Sequence, residues 1–312
     1  TNKCIGFIGV GVMGSSIIKS LLTAGLQANQ ICIADKSEEK ANQITATYKV
    51  QKQGISQIGQ NCEVIFLAVK PQDLGDVLVE LSKSLKSETL LISIAAGKTT
   101  RFIEEKLSTK NPVVRVMPNT PAQIGKGVSA ISGGSNAQPV HLELTKELFS
   151  ASGVVVELPE ENQDAVTALS GSGPAYFFYF IESMIKSGVQ LGLTNEIATQ
   201  LAIGTITGSA AMLQESGLDA ATLRKNVTSP NGTTAAALAV FADKDLEKII
   251  SSFGIKVTKV KSTSDLNFTF SQSNPGLNFV IVEVPNRESM ASNLAKTYSR
   301  ISSAVRIGLN LA

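Results

Sequence analysis

The chain has 312 residues with 28 Lys and Arg against 26 Asp and Glu, so a net charge of +2 with the two signs interspersed. That balance excludes the basic stripe of a nucleic-acid footprint, and no apolar run approaches the ~18 residues of a membrane span. The length suits two domains at about 150 residues each, and the amino terminus, TNKCIGFIGVGVMG, runs straight into a strand pattern without a basic and apolar leader, which points to the cytoplasm.

From residue 3 to about residue 156 short apolar runs alternate with amphipathic stretches, the signature of an α/β fold with a doubly wound parallel sheet. Strands are predicted at 4–8, 30–35, 64–69, 89–94, 113–117, 127–132 and 153–157, and helices at 12–24, 37–48, 73–85, 99–107 and 139–151. The first strand runs into Gly9-Val10-Gly11-Val12-Met13-Gly14 and then a helix, with Asp35 closing the next strand. In such a turn Gly9 permits the tight bend, Gly11 lets the backbone approach a pyrophosphate and Gly14 lets helix pack on strand. The helix start at Val12 and Met13 adds amide donors and a positive dipole end. G-x-G-x-x-G alone is weak, but the strand before, the helix after and an acidic residue about 20 positions on favour dinucleotide binding over a plain turn. A ligand of such a sheet lies outside the carboxyl ends of its strands. The loops to inspect are Lys70-Pro71, Ala95-Ala96-Gly97 and Pro118-Asn119-Thr120-Pro121.

At Leu158-Pro159-Glu160-Glu161-Asn162 the pattern changes to almost purely helical, with helices predicted at 164–169, 175–191, 194–217, near 219–225 and at 233–243. The expected domains are 1–160 (dinucleotide-binding), 161–250 (helical) and 251–312 (an atypical tail). Tyr176-Phe177-Phe178-Tyr179-Phe180 makes one helix apolar around most of its circumference, so its burial is completed against another subunit.

Cys4, Cys32 and Cys62 lack C-x-x-C spacing and read as small buried hydrophobes, with no metal expected. His141 is the one histidine, which leaves almost nothing for a Ser-His-Asp or Cys-His relay.

Several stretches together resemble the pyrroline-5-carboxylate reductases over roughly residues 3–250. They are IGFIGVGVMGSSI at 5–17, FLAVKPQ at 66–72 with SIAAG at 93–97, RVMPNTPA at 115–122, and ALSGSGPAYFFYFIES at 168–183 with VTSPNGTTAAAL at 227–238. The resemblance implies a Rossmann domain followed by a helical dimerisation domain, often assembled into a homo-oligomer of dimers. It implies hydride transfer from NADPH or NADH to the C=N carbon of 1-pyrroline-5-carboxylate, giving L-proline in the last step of proline biosynthesis. The residue inventory suits that chemistry, because a protonated cyclic imine is already electrophilic and needs alignment more than a strong acid or a metal.

By resemblance Thr234 hydrogen-bonds the ring nitrogen, Ser229, Gly232 and Thr233 grip the carboxylate, and the Ser170-Gly171-Ser172-Gly173-Pro174 turn brings Ser172 to the nicotinamide and substrate. The plain structural reading is that Ser229 or Thr233 caps the next helix, and a cap can also bind a carboxylate. Around the cofactor the resemblance implies Gly9, Gly11, Val12, Met13, Gly14, Asp35, Lys36, Ser37, Ala68, Val69, Lys70, Pro71, Ala95, Ala96, Gly97, Asn119 and Pro121. Pro71 reads equally as the first residue of a helix. Asp35 favours a free ribose 2′-hydroxyl, whereas Lys36 and Ser37 suit a 2′-phosphate; NADPH is expected, with NADH also used.

The match stops near residue 251. Beyond it, strands are predicted at 255–260 and 277–284 and an amphipathic helix along Met290, Leu294, Tyr298, Ile301, Val305 and Leu309. That tail faintly resembles the end of thiamine-diphosphate-dependent synthases of the menaquinone pathway, with no thiamine-diphosphate motif. Two other readings compete. A β-hydroxyacid dehydrogenase would carry a catalytic lysine where this chain has Pro174-Ala175-Tyr176, the nearest being Lys186. A nucleotide-binding protein without turnover would follow if the replaced tail disrupts assembly.

Overall fold

The computed structural model describes residues 3–251. Eight strands form one sheet in the order β3-β2-β1-β4-β5-β6-β7-β8: β1 (Ile5–Ile8), β2 (Ile31–Ala34), β3 (Gln51–Lys52), β4 (Val64–Leu67), β5 (Leu90–Ser93), β6 (Val113–Met117), β7 (Gly127–Gly133) and β8 (Gly153–Glu157). Every residue of β1, β2, β4 and β5 is buried, which is why these strands read as continuous apolar runs: parallel strands have both faces covered. On one face Ile17, Ile18 and Leu21 of α1 (Val12–Thr23), Ala41 of α2 (Glu38–Tyr48) and Leu148 and Phe149 of α6 (Pro139–Ser150) pack over the sheet. On the other lie Ile58 of α3 (Ile55–Asn61), Leu74, Leu78 and Leu81 of α4 (Leu74–Leu81) and Ile103 of α5 (Thr100–Glu104). Phe7 stacks on Phe66 with ring centroids 4.4 Å apart, and Phe149 tilts against Phe66 at 5.8 Å.

The sheet departs from the all-parallel expectation at one place. β7 pairs antiparallel to β6, and β8 then pairs parallel to β7. The connection 118–126 is shorter than the dozen or more residues a parallel crossover takes, so the chain folds straight back through a short 3₁₀ turn, Thr120–Ile124. The reading also missed α3 and the two-residue edge strand β3. Pro71 sits in a turn ahead of α4, whose first residue is Leu74, so it does not open that helix.

After β8 come α7 (Gln163–Val166), a π-helical turn at Thr167–Gly171, α8 (Gly173–Gln190), α9 (Asn195–Glu215), α10 (Ala220–Asn226), α11 (Thr233–Asp243) and α12 (Leu246–Ser251). Side-chain caps start α9 and α10: Thr194 accepts from the Ile197 N–H and Asp219 from the Thr222 N–H. Phe177, Phe178 and Tyr179 of α8 are 61–71% exposed in the single chain. Described residues up to 241 form one compact unit, and the end of α11 and α12 fall outside it. The strands and amphipathic helix predicted at 255–260, 277–284 and 290–309 fall outside them. Among the described residues no helix is long and apolar enough to cross a membrane.

Candidate active site

Strand order turns about β1, whose neighbours are β2 and β4, so a crevice opens at the carboxyl ends of β1 and β4. Gly9 leaves β1 at φ +95, and a Cβ there would stand 2.6 Å from the Ala68 carbonyl oxygen. A Cβ on Gly14 would stand 2.7 Å from the Gly9 carbonyl oxygen, which places the start of α1 hard against the strand exit. At Gly11 a Cβ would meet nothing within 4 Å. Gly11 is also the N-cap of α1 and makes no side-chain cap hydrogen bond, so the first-turn amides beyond it face an open approach. Tight at Gly9 and Gly14 and open at Gly11, the turn has the shape and the donors for a pyrophosphate.

Asp35 follows β2 and is held by backbone on both sides: Oδ2 accepts from the Val10 N–H at 2.8 Å and Oδ1 from the Ser37 N–H at 2.8 Å. Its carboxylate therefore fixes the glycine turn to the start of α2. Ser37 caps α2 by accepting from the Lys40 N–H. Lys36 reaches to Asp73 at 2.7 Å, and that bond raises its ammonium pKa above the ordinary value. The pair is exposed, where an ion pair is weak and exchangeable.

Ala68 donates its N–H to the Ile8 carbonyl at 2.8 Å, carrying the β1–β4 pairing one residue past the strand ends, and Val69, Lys70 and Pro71 continue from there. Ala95 is buried beyond β5, Ala96 is exposed, and Gly97 takes φ +71. Asn119 is buried with both ends of its amide engaged: Oδ1 accepts from the Val128 N–H at 2.8 Å, and Nδ2 donates to the Ser170 carbonyl at 3.1 Å. It thus ties the turn after β6, with Pro121, to the Ser170-Gly171-Ser172 junction. That tie was not foreseen; its only signal was that both stretches belong to the motif set.

Ser172 is the N-cap residue of α8 and makes no side-chain cap hydrogen bond, and its own N–H donates to the Thr167 carbonyl. The 229–232 turn closes with the Gly232 N–H on the Ser229 carbonyl at 3.1 Å and Asn231 left-handed at φ +61, and α11 starts at Thr233. Ser229, Gly232, Thr233 and Thr234 are therefore gathered at the head of one helix. No hydrogen bond among the described residues ties them to the loops of the sheet within one chain.

A buried ion pair secures the passage from sheet to helices. Arg115 of β6, 5% exposed, donates from Nη1 to Glu160 Oε1 at 3.4 Å. The same carboxylate accepts the Thr100 N–H at 2.7 Å and the Thr100 hydroxyl at 2.6 Å. The one arginine in an otherwise apolar strand, VVRVM, was the signal for it.

The cysteines depart from expectation in part. Cys32 in β2 and Cys62, at the end of α3, are buried as expected, whereas Cys4, just before β1, is only half-buried, and the three sulfurs all lie within 4.8 Å of one another, a convergence the spacing does not announce.

Residues 160–263 match the model of the family described as pyrroline-5-carboxylate reductase dimerisation, and residues 4–97 that described as NADP oxidoreductase, coenzyme F420-dependent. The pyrroline-5-carboxylate reductase of Mycobacterium tuberculosis is 39% identical over 257 residues, covering 75% of this chain and 87% of its own. A solved pyrroline-5-carboxylate reductase from Coxiella burnetii has a TM-score of 0.76 at 34% identity, covering 81% of this chain and 95% of that one. The Plasmodium falciparum pyrroline carboxylate reductase, solved with NADP bound, has a TM-score of 0.74 at 30% identity over 81% and 94%. With that identity spread along both the sheet and the helical segment, this chain belongs to the pyrroline-5-carboxylate reductases.

Proposed function

We propose that the protein reduces the ring C=N bond of 1-pyrroline-5-carboxylate with NAD(P)H, giving L-proline, and that it holds the substrate at the 229–234 turn. One observation carries the reading. In a chain of this family, an uncapped dinucleotide turn at 9–14 is matched by a 229–234 turn of hydroxyls and amides that holds no ionisable side chain.

The nicotinamide supplies the hydride when bound; the chain binds, orients and excludes. Amides at Val12 and Met13, with Gly9, Gly11 and Gly14 shaping the approach, hold the pyrophosphate. Asp35 faces a ribose hydroxyl while it anchors Val10. Ala68, Val69, Lys70 and Pro71 line the adenosine half, and Ala95, Ala96, Gly97, Asn119 and Pro121 the nicotinamide half. Ser229, Gly232 and Thr233 hold the substrate carboxylate at the head of α11, where no basic residue is needed. Thr234 keeps its hydroxyl on the ring nitrogen, and Ser172 lies beside the nicotinamide at the head of α8. Lys36, released from Asp73, and Ser37 take a 2′-phosphate, so NADPH is the preferred donor and NADH a usable one.

The same reading divides the chain into domains at 1–160, 161–250 and 251–312, and gathers its dimers into a larger homo-oligomer. It makes the protein a cytoplasmic enzyme of a small molecule, with no nucleic-acid or membrane partner. The test is an assay of the full chain with 1-pyrroline-5-carboxylate and each reduced cofactor, following loss of dihydronicotinamide absorbance, beside a hydroxyacid with oxidised cofactor. Consumption in the first mixture alone is expected. Turnover only in the second would assign a hydroxyacid dehydrogenase, and turnover in neither a nucleotide-binding protein without catalysis.

A further inference from the structure

The three cysteines come from chain segments about 30 residues apart, yet their sulfurs converge at the amino-terminal edge of the sheet. Cys4 Sγ lies 3.1 Å from Cys62 Sγ and 3.9 Å from Cys32 Sγ, and the third side of the triangle is no longer than 4.8 Å. The shortest of these is inside the ~3.5–4.0 Å of ordinary nonbonded packing, so the thiols are in direct polar contact. A triangle with those sides has a point within about 2.4 Å of all three corners, against a metal–thiolate bond of ~2.3 Å. The surroundings are prepared as well. Cys32 and Cys62 are buried, while Cys4 is half-exposed and leaves an entry. The Cys4 backbone is pinned by its N–H on the Glu63 carboxylate at 3.0 Å, which also receives Lys3.

We propose that Cys4, Cys32 and Cys62 form a binding site for a thiophilic d¹⁰ cation of the zinc class. Soft thiolate donors select such ions over hard ones, and three sulfurs leave a fourth position for water on the Cys4 side. On binding, three S–H bonds give way to three metal–sulfur bonds, up to three protons leave to solvent, and no electron is transferred. Along β1, Cys4 and the Gly9 turn are separated by about 16 Å at ~3.3 Å per residue. The ion therefore serves to clamp β1, β2 and the end of α3, apart from hydride transfer.

The test is a titration of the full-length, reduced protein with Cd²⁺, then with Zn²⁺ in competition. We expect an ultraviolet sulfur-to-cadmium charge-transfer band that saturates at one ion per chain, protection of the cysteines from a maleimide, and a rise in melting temperature. Cys4→Ser, at the half-exposed corner, should weaken Cd²⁺ binding at least a hundredfold and leave reductase activity near the parent's. Cys32→Ser should do the same, and the Cys4 variant keeps the test intact should a buried serine prevent folding. Absence of the band from protein whose three thiols titrate as free would overturn the site, as would Cd²⁺ affinity that survives both substitutions.

Discussion

Phe7, Phe66 and Phe149 pack ring against ring and are enclosed between sheet and helices, whereas Phe177, Phe178 and Tyr179 on α8 stand largely in the open. The contrast extends beyond aromatics: among the described residues past 160 the buried apolar side chains are only those of Ala168, Ala198 and Ala202, while Leu201, Ile203, Met212 and Leu213 of α9 join the exposed set. Apolar exposure on that scale marks an interaction surface. The sheet half completes its core with its own chain, and the helical half, a dimerisation domain by family, completes its core with a second copy. One half's stability should therefore be independent of protein concentration, and the other's should rise with it.

The strongest way to break that comparison is to charge the open face. Phe178→Glu sets a carboxylate where a partner helix must cover apolar surface, and an uncompensated buried charge is among the costliest substitutions. We expect loss of self-association by sedimentation and a fall in turnover of more than a hundredfold, about 2.7 kcal/mol, with dinucleotide binding retained by the sheet half. Association unchanged by Phe178→Glu would mean that α8 faces elsewhere.

The joint between the halves is the next target. Glu160→Gln leaves Arg115 buried with only Asp164, at 3.8 Å, for a counter-charge. Glu160 is 24% exposed, so the cost should fall below the 3–5 kcal/mol of a fully buried broken pair, at about 2–3 kcal/mol in urea unfolding. A loss under about 0.5 kcal/mol would show that Thr100 and solvent, not Arg115, define that carboxylate's role.

Thr234→Ala sharpens the comparison on its functional side. Deleting one hydroxyl at the head of α11 should lower turnover more than tenfold, at least about 1.4 kcal/mol, while dimer and cofactor affinity stay as they were. Equal turnover of variant and parent would remove Thr234 from the reaction.

What the sequence disclosed follows the same division. The glycine turn was legible because Gly9 must take a positive φ and Gly14 must touch backbone, demands that residue type alone can state. The inner strands were legible because both faces are apolar. β3 escaped because Gln51 and Lys52 are exposed on an edge and carry no apolar alternation. The direction of β7 escaped because periodicity reports faces, not orientation. The cysteine triad escaped because its members are brought together by β1, β2 and α3, not by spacing along the chain. The residues of the substrate turn were legible only through family resemblance, since hydroxyls at a helix start look the same whether they cap or bind.

The smallest effect tests whether the sheet half is indeed self-contained. His141 occupies the third position of α6, and its Nδ1 accepts the Gln138 N–H at 2.9 Å, capping the helix whose Leu148 and Phe149 cover the sheet. Partial burial lowers its pKa below the ordinary imidazole value. The unfolded chain therefore binds the proton more readily than the folded one, so stability rises with pH across the gap between the two values. Above about pH 6.5 this contribution is fully present; it declines as pH falls through that value and levels off below the folded pKa, where protonation also removes the acceptor of the cap. His141→Gln keeps a side chain able to reach back to the N-cap amide and carries no titratable group. Urea midpoints of the parent should therefore fall between about pH 7 and about pH 5 more steeply than those of His141→Gln. The difference between the two should not change with protein concentration. A difference that grew on dilution would mean that α6 feels the partner subunit and that the sheet half is not complete on its own.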